Sequence, residues 1–238
     1  MIHSPLQAAR AVVTLAILGY AAYSDVKSRE VDDAVWLILV IASAALIFPE
    51  LAAFDRSQLI LYFTSVYIAF ALGLALPTFG LMGDADFLAI ACLGLATPPD
   101  WRALLSSIPS LSIFINALLA SCLYPIALLV RNLVLAMRGI ELFEGVEIGT
   151  AGKLLALFTM TKVPARVYLS RRYAYTLTEI TEDSKKKIVF RARISEPPQQ
   201  PQGEWVWVSP YIPFVAMLTV GYAIHIFYGC ILEPLFVP

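Results

Sequence analysis

Six apolar segments run through this chain, and they restrict its possible folds more than any other feature. Hydrophobic residues make up 59% of the 238 residues and charged residues only 15%, whereas soluble domains average about 25% charged residues. A helix needs roughly 20 residues to cross the hydrocarbon core of a bilayer, and most of the segments approach that length. The segments lie near residues 6–23, 33–49, 58–79, 86–97, 111–136 and 210–232. The sequence therefore predicts an all-α polytopic membrane protein with six transmembrane helices.

A polar insertion, residues 137–209, interrupts this pattern before the last segment. Its stretches YAYTLTEI, KKIVFRARI and EWVWVSP are typical of strands, and TEDS between the first two indicates a hairpin loop. The stretch AGKLLALFTMTKV is compatible with an amphipathic helix lying on the membrane. We expect a small β-containing insertion between a first part, residues 1–136, that holds five transmembrane helices and a last part, residues 210–238, that holds the sixth.

The basic residues are distributed unevenly between the two sides of such a bundle. With the N-terminus outside, only Arg10, Arg56 and Arg102 of the 17 lysines and arginines fall on the outer side. Because cytoplasmic loops carry the excess of lysine and arginine, the pattern predicts a multi-pass cell-membrane protein. Both termini would lie outside and the insertion in the cytoplasm. We expect lipid as a partner, and the net charge of −1 indicates no nucleic-acid partner.

The sequence lacks the usual patterns for metal, thiol and serine chemistry. The three cysteines are scattered in apolar stretches, without the C-x-x-C spacing of a zinc site. The two histidines, His3 and His225, lie at opposite ends of the chain, and neither a G-x-S-x-G nor an H-E-x-x-H motif occurs. We expect neither a metal ion nor a cofactor.

The stretch GLMGDADFLAIACLG places two carboxylates, Asp84 and Asp86, at the start of the short fourth segment. Acids in a membrane-spanning region are costly and therefore functional candidates. As a purely structural residue, Asp84 would be a good N-cap, at a helix end whose dipole favours negative charge. Gly80 and Gly83 allow the backbone to come close to another group here, which favours a functional site.

A further acid, Asp25 in YSDVKSREVDD, lies at the cytoplasmic end of the first segment. The dipole of its own helix disfavours an acid there, so capping does not explain it; pairing with Lys27 or Arg29 is the structural alternative. Two carboxylates brought close together share one proton. The ionised carboxylate can then activate a water molecule while the protonated one polarises a peptide carbonyl. Asp25 and Asp84 are therefore candidates for an intramembrane aspartic hydrolase.

These residues also carry a resemblance to a known family. GLMGD resembles the G-x-hydrophobic-G-D signature of archaeal preflagellin and prepilin peptidases, relatives of the bacterial type IV prepilin peptidases, and SDVKSREVDD is similar to their other conserved site. The resemblance implies a GxGD-type aspartic endopeptidase with Asp25 and Asp84 as the catalytic pair. Its substrates would be preflagellins or prepilins, from which it removes a short basic leader, the class III signal peptide. Two departures are Leu81, where the strict bacterial motif has glycine, and Asp86, where relatives often have lysine.

The leader of such substrates is basic and precedes an apolar helix. Glu30, Asp32 and Asp33 follow Asp25 closely, and Asp86 follows Asp84, so these four acids are candidates for binding the leader. Alternatively they pair with nearby lysines and arginines of the chain itself.

Two other functions are compatible with acids in membrane helices. A presenilin-like or signal-peptide-peptidase-like protease also uses a GxGD aspartate, but the P-A-L motif of that family is absent. A small proton-coupled transporter should have acids deep within its spans or an internal repeat, whereas the acids here lie at segment ends.

Overall fold

The computed structural model of the protein describes residues 4–78, 84–100, 103–182, 185–188, 190, 201 and 203–236. The chain divides into two compact units, one drawn from residues 1–121 and 213–238 and the other from residues 122–212. The described helices are α1 Pro5–Ser28, α2 Asp33–Leu51, α3 Arg56–Thr78, α4 Asp84–Ala96, α5 Pro109–Ser121, α6 Leu123–Met137, α7 Thr150–Thr159, α8 Ala165–Ser170 and α9 Phe214–Tyr228. The described strands are β1 Thr161–Pro164, β2 Tyr175–Leu177, β3 Glu179–Glu182, β4 Lys185–Ile188 and β5 Trp205–Pro210.

The first unit is a helical bundle formed by α1 to α5 and α9. Its apolar core is formed by buried side chains of α1, α2, α4, α5 and α9, and Leu72 of α3, which also packs against α4 and α5, lies against this core. The helix ends follow local sequence signals. Ser4 caps α1 by accepting a hydrogen bond from the Gln7 backbone N–H at 3.1 Å, and α1 ends where Arg29 adopts a left-handed conformation with φ 62°.

Four helical stretches are long and apolar enough to cross a membrane. They are Pro5–Ser28, Asp33–Leu51, Arg56–Ala75 and Pro109–Met137. The apolar helices α4 and α9 have only 13 and 15 residues. The prediction of a polytopic helical membrane protein is confirmed, whereas the number of six spans stays a prediction, because two helices are shorter than a bilayer core requires.

The second unit combines α6, α7 and α8 with two small sheets. One sheet has the order β1-β5-β2, with both pairs antiparallel, and the other is the antiparallel pair β3-β4. The antiparallel pair β3-β4 agrees with the predicted hairpin, but its loop is shorter than the predicted TEDS, because Thr181 and Glu182 belong to β3 and pair with Lys186 and Lys185. The stretch EWVWVSP forms β5 as predicted. The stretch AGKLLALFTMTKV is only partly helical, because α7 ends at Thr159 and β1 begins at Thr161.

Candidate active site

Asp25 lies in the last turn of α1, and its side chain is buried in the first unit. The residue is 8% exposed, and its carboxylate Oδ2 accepts a hydrogen bond from the Val215 backbone N–H at 3.1 Å. The backbone N–H of Ala216 also interacts with this carboxylate. Both amides belong to the first turn of α9, whose own N-cap is Pro213 and makes no side-chain capping bond. Asp25 therefore supplies a capping acceptor for the first turn of α9.

This geometry corrects one inference from the sequence. The dipole of α1 disfavours an acid at Asp25, but the N-terminus of α9 favours one, since N-terminal N–H groups of a helix attract negative charge. Helix capping does explain part of the environment of Asp25, although the capped helix is not its own.

Arg29 is the second charged group at this position. Its Nη1 lies 3.7 Å from Asp25 Oδ1, and both side chains are largely buried. The pairing of Asp25 with Arg29, rather than with Lys27, is thus present in the structure. The Lys27 ammonium lies 5.4 Å from the centroid of the Tyr23 ring instead.

Contacts between α4, α5 and α9 show which helix ends lie together in the first unit. A methyl group placed on Gly94, near the end of α4, would lie 3.9 Å from Ser110 Cβ, at the start of α5. Ser112 Oγ lies 2.8 Å from His225 Nδ1, near the end of α9. The end of α4, the start of α5 and the end of α9 therefore share one end of the bundle, and the starts of α4 and α9 lie at the other.

Asp84 is the first residue of α4, so it begins its helix at the end of the bundle where Asp25 meets Val215. The Asp84 side chain, together with Gly80 and Gly83, lies outside what the structure describes. The structure thus assigns the backbone of Asp84 to the same end as Asp25, and the distance between the two carboxylates stays a prediction.

The four candidate leader-binding acids have different environments. Asp32 is exposed and caps α2, accepting a hydrogen bond from the Ala34 backbone N–H at 2.8 Å. Glu30 and Asp33 are exposed, and Asp33 is the first residue of α2. Asp86 is half-buried and has interactions within the protein. Glu30, Asp32 and Asp33 are therefore the more exposed of the four acids.

Sequence reasoning missed two features of this unit. The first feature is the hydrogen bond between the Val215 amide and Asp25, which joins positions 190 residues apart in the chain. The local sequence shows only that α9 begins after Pro213, a residue whose side chain cannot cap the helix. The other feature is the ion pair of Arg10 Nη1 with Glu50 Oε2, at 2.8 Å and nearly buried.

Among the described residues, no group of three or more His, Cys, Asp or Glu side chains is placed to hold a metal ion.

Two comparisons with known proteins agree with the sequence resemblance. The model of the type IV leader peptidase family matches residues 12–130, half of the chain, in a region that includes both Asp25 and Asp84. A preflagellin peptidase from Methanococcus maripaludis is 24% identical over 217 residues, which cover 86% of this chain and 88% of the relative. The similarity to that relative extends beyond the region matched by the family model.

Proposed function

This chain belongs to the type IV leader peptidase family, and from that premise we propose that it is an aspartic endopeptidase acting on preflagellins or prepilins. It removes their short basic leader, the class III signal peptide, at the cytoplasmic face of the membrane. The name of the relative from Methanococcus maripaludis supports preflagellins as the substrate class. Family membership favours this function over a presenilin-like protease and over a proton-coupled transporter.

The environment of Asp25 is the observation that carries the proposal. A buried carboxylate at a bundle end costs folding free energy unless it is paired and hydrogen-bonded. Asp25 meets both conditions, because Arg29 lies beside it and an amide of the first turn of α9 donates a hydrogen bond to it. The start of α4 at Asp84 lies at the same end. This arrangement supports a pair of aspartates contributed by two helices of one bundle.

In the proposed reaction, Asp25 and Asp84 hold one proton between them. The ionised carboxylate accepts a proton from the attacking water molecule, and the protonated carboxyl donates a hydrogen bond to the scissile carbonyl oxygen. The amide nitrogen then leaves with a proton from the pair. We assign the single proton to the pair and not to either residue, since interacting carboxylates titrate together.

The proposal is tested by cleavage of a leader-bearing preflagellin by the purified protein in detergent micelles, followed by gel shift. Asp25→Asn and Asp84→Asn should each lower kcat by about 100-fold or more, because an amide cannot exchange the proton that general acid–base catalysis requires. The matched control is Asp86→Asn, two residues from Asp84, which should retain most of the activity.

Full activity in either Asp25→Asn or Asp84→Asn would refute the aspartic mechanism. An inactive but folded Asp86→Asn variant would instead transfer the second catalytic role to Asp86.

A further inference from the structure

Helix α7 of the second unit exposes an apolar face. Leu154 and Leu155 are 59% and 49% exposed, Ala151 is exposed, and Phe158 is half-buried. These residues are spaced i, i+3, i+4 and i+7, which places them on one side of a helix. We call this set, Ala151, Leu154, Leu155 and Phe158, the α7 apolar face.

The opposite side of α7 is already used for packing. Ala156 is fully buried in a cluster with Met160 and Trp207. An amphipathic helix at a water-exposed surface presents polar residues outward once its apolar side is buried. Because α7 is apolar on both sides, its outer face has no explanation in the folding of the second unit.

Helix α7 is fixed against α6 by a buried side chain. Asn132 of α6 donates hydrogen bonds from Nδ2 to the carbonyls of Leu157 at 2.9 Å and Met160 at 2.7 Å, and its Oδ1 accepts one from Thr161 Oγ1 at 2.8 Å. These bonds place the end of α7 beside Asn132. Since a helix rises 1.5 Å per residue, Asn132 lies only about 8 Å along the helix axis from Met137, the last residue of α6.

Helix α6 itself has an exposed apolar flank. It lies within the stretch Pro109–Met137, which is long and apolar enough to cross a membrane. Its exposed apolar residues are Leu123, Ile126, Val130, Leu133, Val134 and Met137. In a membrane-crossing helix these side chains contact lipid, and helix α7, which carries the α7 apolar face, has its end beside the last turns of the same helix.

We propose that the α7 apolar face inserts into the bilayer and holds the second unit on the membrane surface. Apolar insertion, rather than attraction to anionic lipid, drives the contact, because Glu141, Glu144 and Glu147 immediately precede α7. Lys153 lies on the opposite side of α7, with its ammonium 5.6 Å from the centroid of the Phe143 ring, so it places no charge on the α7 apolar face.

The test is a spin-label scan along α7 in nanodiscs of neutral phosphatidylcholine. Single cysteines replace Ala151, Leu154, Leu155 and Phe158 in turn, in a Cys122→Ser background, since Cys122 is exposed and the other two cysteines are buried. The matched controls are Lys153→Cys and Thr159→Cys, two exposed positions of the same helix outside the α7 apolar face, Lys153 on the opposite side and Thr159 at its flank. Accessibility to oxygen, which concentrates in lipid, is compared with accessibility to a water-soluble nickel chelate.

Insertion predicts that the ratio of oxygen to nickel accessibility is several-fold higher at the four positions of the face than at the two control positions, with helical periodicity. Equal, nickel-dominated accessibility at all six positions would overturn the proposal, because the face would then be in water. Low accessibility to both reagents, together with spin–spin coupling between labels of different molecules, would overturn it in favour of a contact with a second copy of the chain.

Discussion

The Asp25 carboxylate has a structural role in the bundle, and the proposed function gives it a chemical role as well. Its hydrogen bond from the Val215 amide stabilises the start of α9, as any good capping acceptor would. The proposed catalytic role requires in addition that the group can lose and gain a proton. The two roles place different demands on the side chain, so they can be separated by substitution.

We predict that Asp25→Asn and Asp25→Ala are equally inactive but differ in stability. Asparagine retains an oxygen that accepts the Val215 amide, whereas alanine leaves that buried N–H without an acceptor. The loss of a capping acceptor costs about 0.5–2 kcal/mol. Unfolding of the purified variants in detergent, followed by circular dichroism, should show the larger loss of stability for Asp25→Ala.

Equal stability of the asparagine and alanine variants would show that the Val215 contact contributes little. Residual cleavage by Asp25→Asn alone would show that the carboxylate acts by capping and not by proton transfer.

At the scale of helices, the approach of α5 to α9 depends on a residue without a side chain. A methyl group placed on Gly221 would contact the carbonyl oxygen of Ile113 and lie 2.8 Å from the backbone nitrogen of Ala117. These neighbours are backbone atoms of α5, which cannot move without moving the helix. The close packing of the two helices therefore requires glycine at this position.

Gly221→Ala should consequently destabilise the first unit, by about 1–3 kcal/mol as for other overpacked cores. Gly19→Ala is the matched control, because Gly19 also lies within a helix and a methyl group there would meet no atom within 4 Å. The control should be neutral or stabilising by up to about 1 kcal/mol, since alanine is the better helix former. Thermal unfolding of both variants in detergent measures the difference, and similar midpoints would contradict the packing argument.

The carboxylate of Glu233 binds a second element, the segment after α9, to residues 104–106. This carboxylate accepts hydrogen bonds from the backbone N–H groups of Leu104, Leu105 and Ser106 at 2.6, 3.0 and 2.9 Å, and from Ser106 Oγ at 3.0 Å. Slight burial raises the pKa of Glu233, but the hydrogen bonds from Ser106, Leu105 and Leu104 together outweigh it and hold the pKa below its ordinary value of 4.5.

Because the pKa is lower in the folded state, the stability that Glu233 contributes is present above pH 4.5 and is lost as the pH falls through the folded value. We predict that the melting temperature of Glu233→Gln depends less on pH than that of the wild type between about pH 5 and pH 3. Ser106→Ala, which removes one of the donors, should give an intermediate dependence. Parallel curves for all three proteins would show that this carboxylate does not contribute to acid sensitivity.

For the whole molecule, the proposed function requires that a basic leader reach the catalytic end of the bundle. Glu30, Asp32 and Asp33 are exposed in the connection between α1 and α2 and at the start of α2, directly after the turn that contains Asp25. An exposed charge pair contributes only about 0–1 kcal/mol and is screened by salt over roughly 8 Å. Their effect on substrate binding should therefore be moderate and dependent on ionic strength.

The combined variant Glu30→Gln, Asp32→Asn, Asp33→Asn should raise KM several-fold and leave kcat nearly unchanged. Asparagine at position 32 keeps the α2 cap, so the variant changes charge without removing that bond. Steady-state cleavage at low and high salt measures the effect, and KM of the wild type should rise with salt more than KM of the variant. If both proteins respond identically to salt and to the charge of the leader, these acids do not bind it.

The sequence by itself determined the features that depend on local composition and spacing. The apolar segments predicted the membrane helices, and alternation predicted strands in the insertion. These signals are local because hydrogen bonding within a helix and burial of one strand face are properties of neighbouring residues. The candidate acids Asp25 and Asp84 were also identified from motifs a few residues long.

Only the tertiary structure decided the environment of Asp25. The amide that binds its carboxylate lies 190 positions away at the start of α9, and the contact of Gly221 with α5 likewise joins distant segments. Such contacts depend on which helices become neighbours, and that choice is made by the packing of the whole core rather than by any short pattern. The sequence could therefore name the acid at the end of α1 but not the helix that it caps.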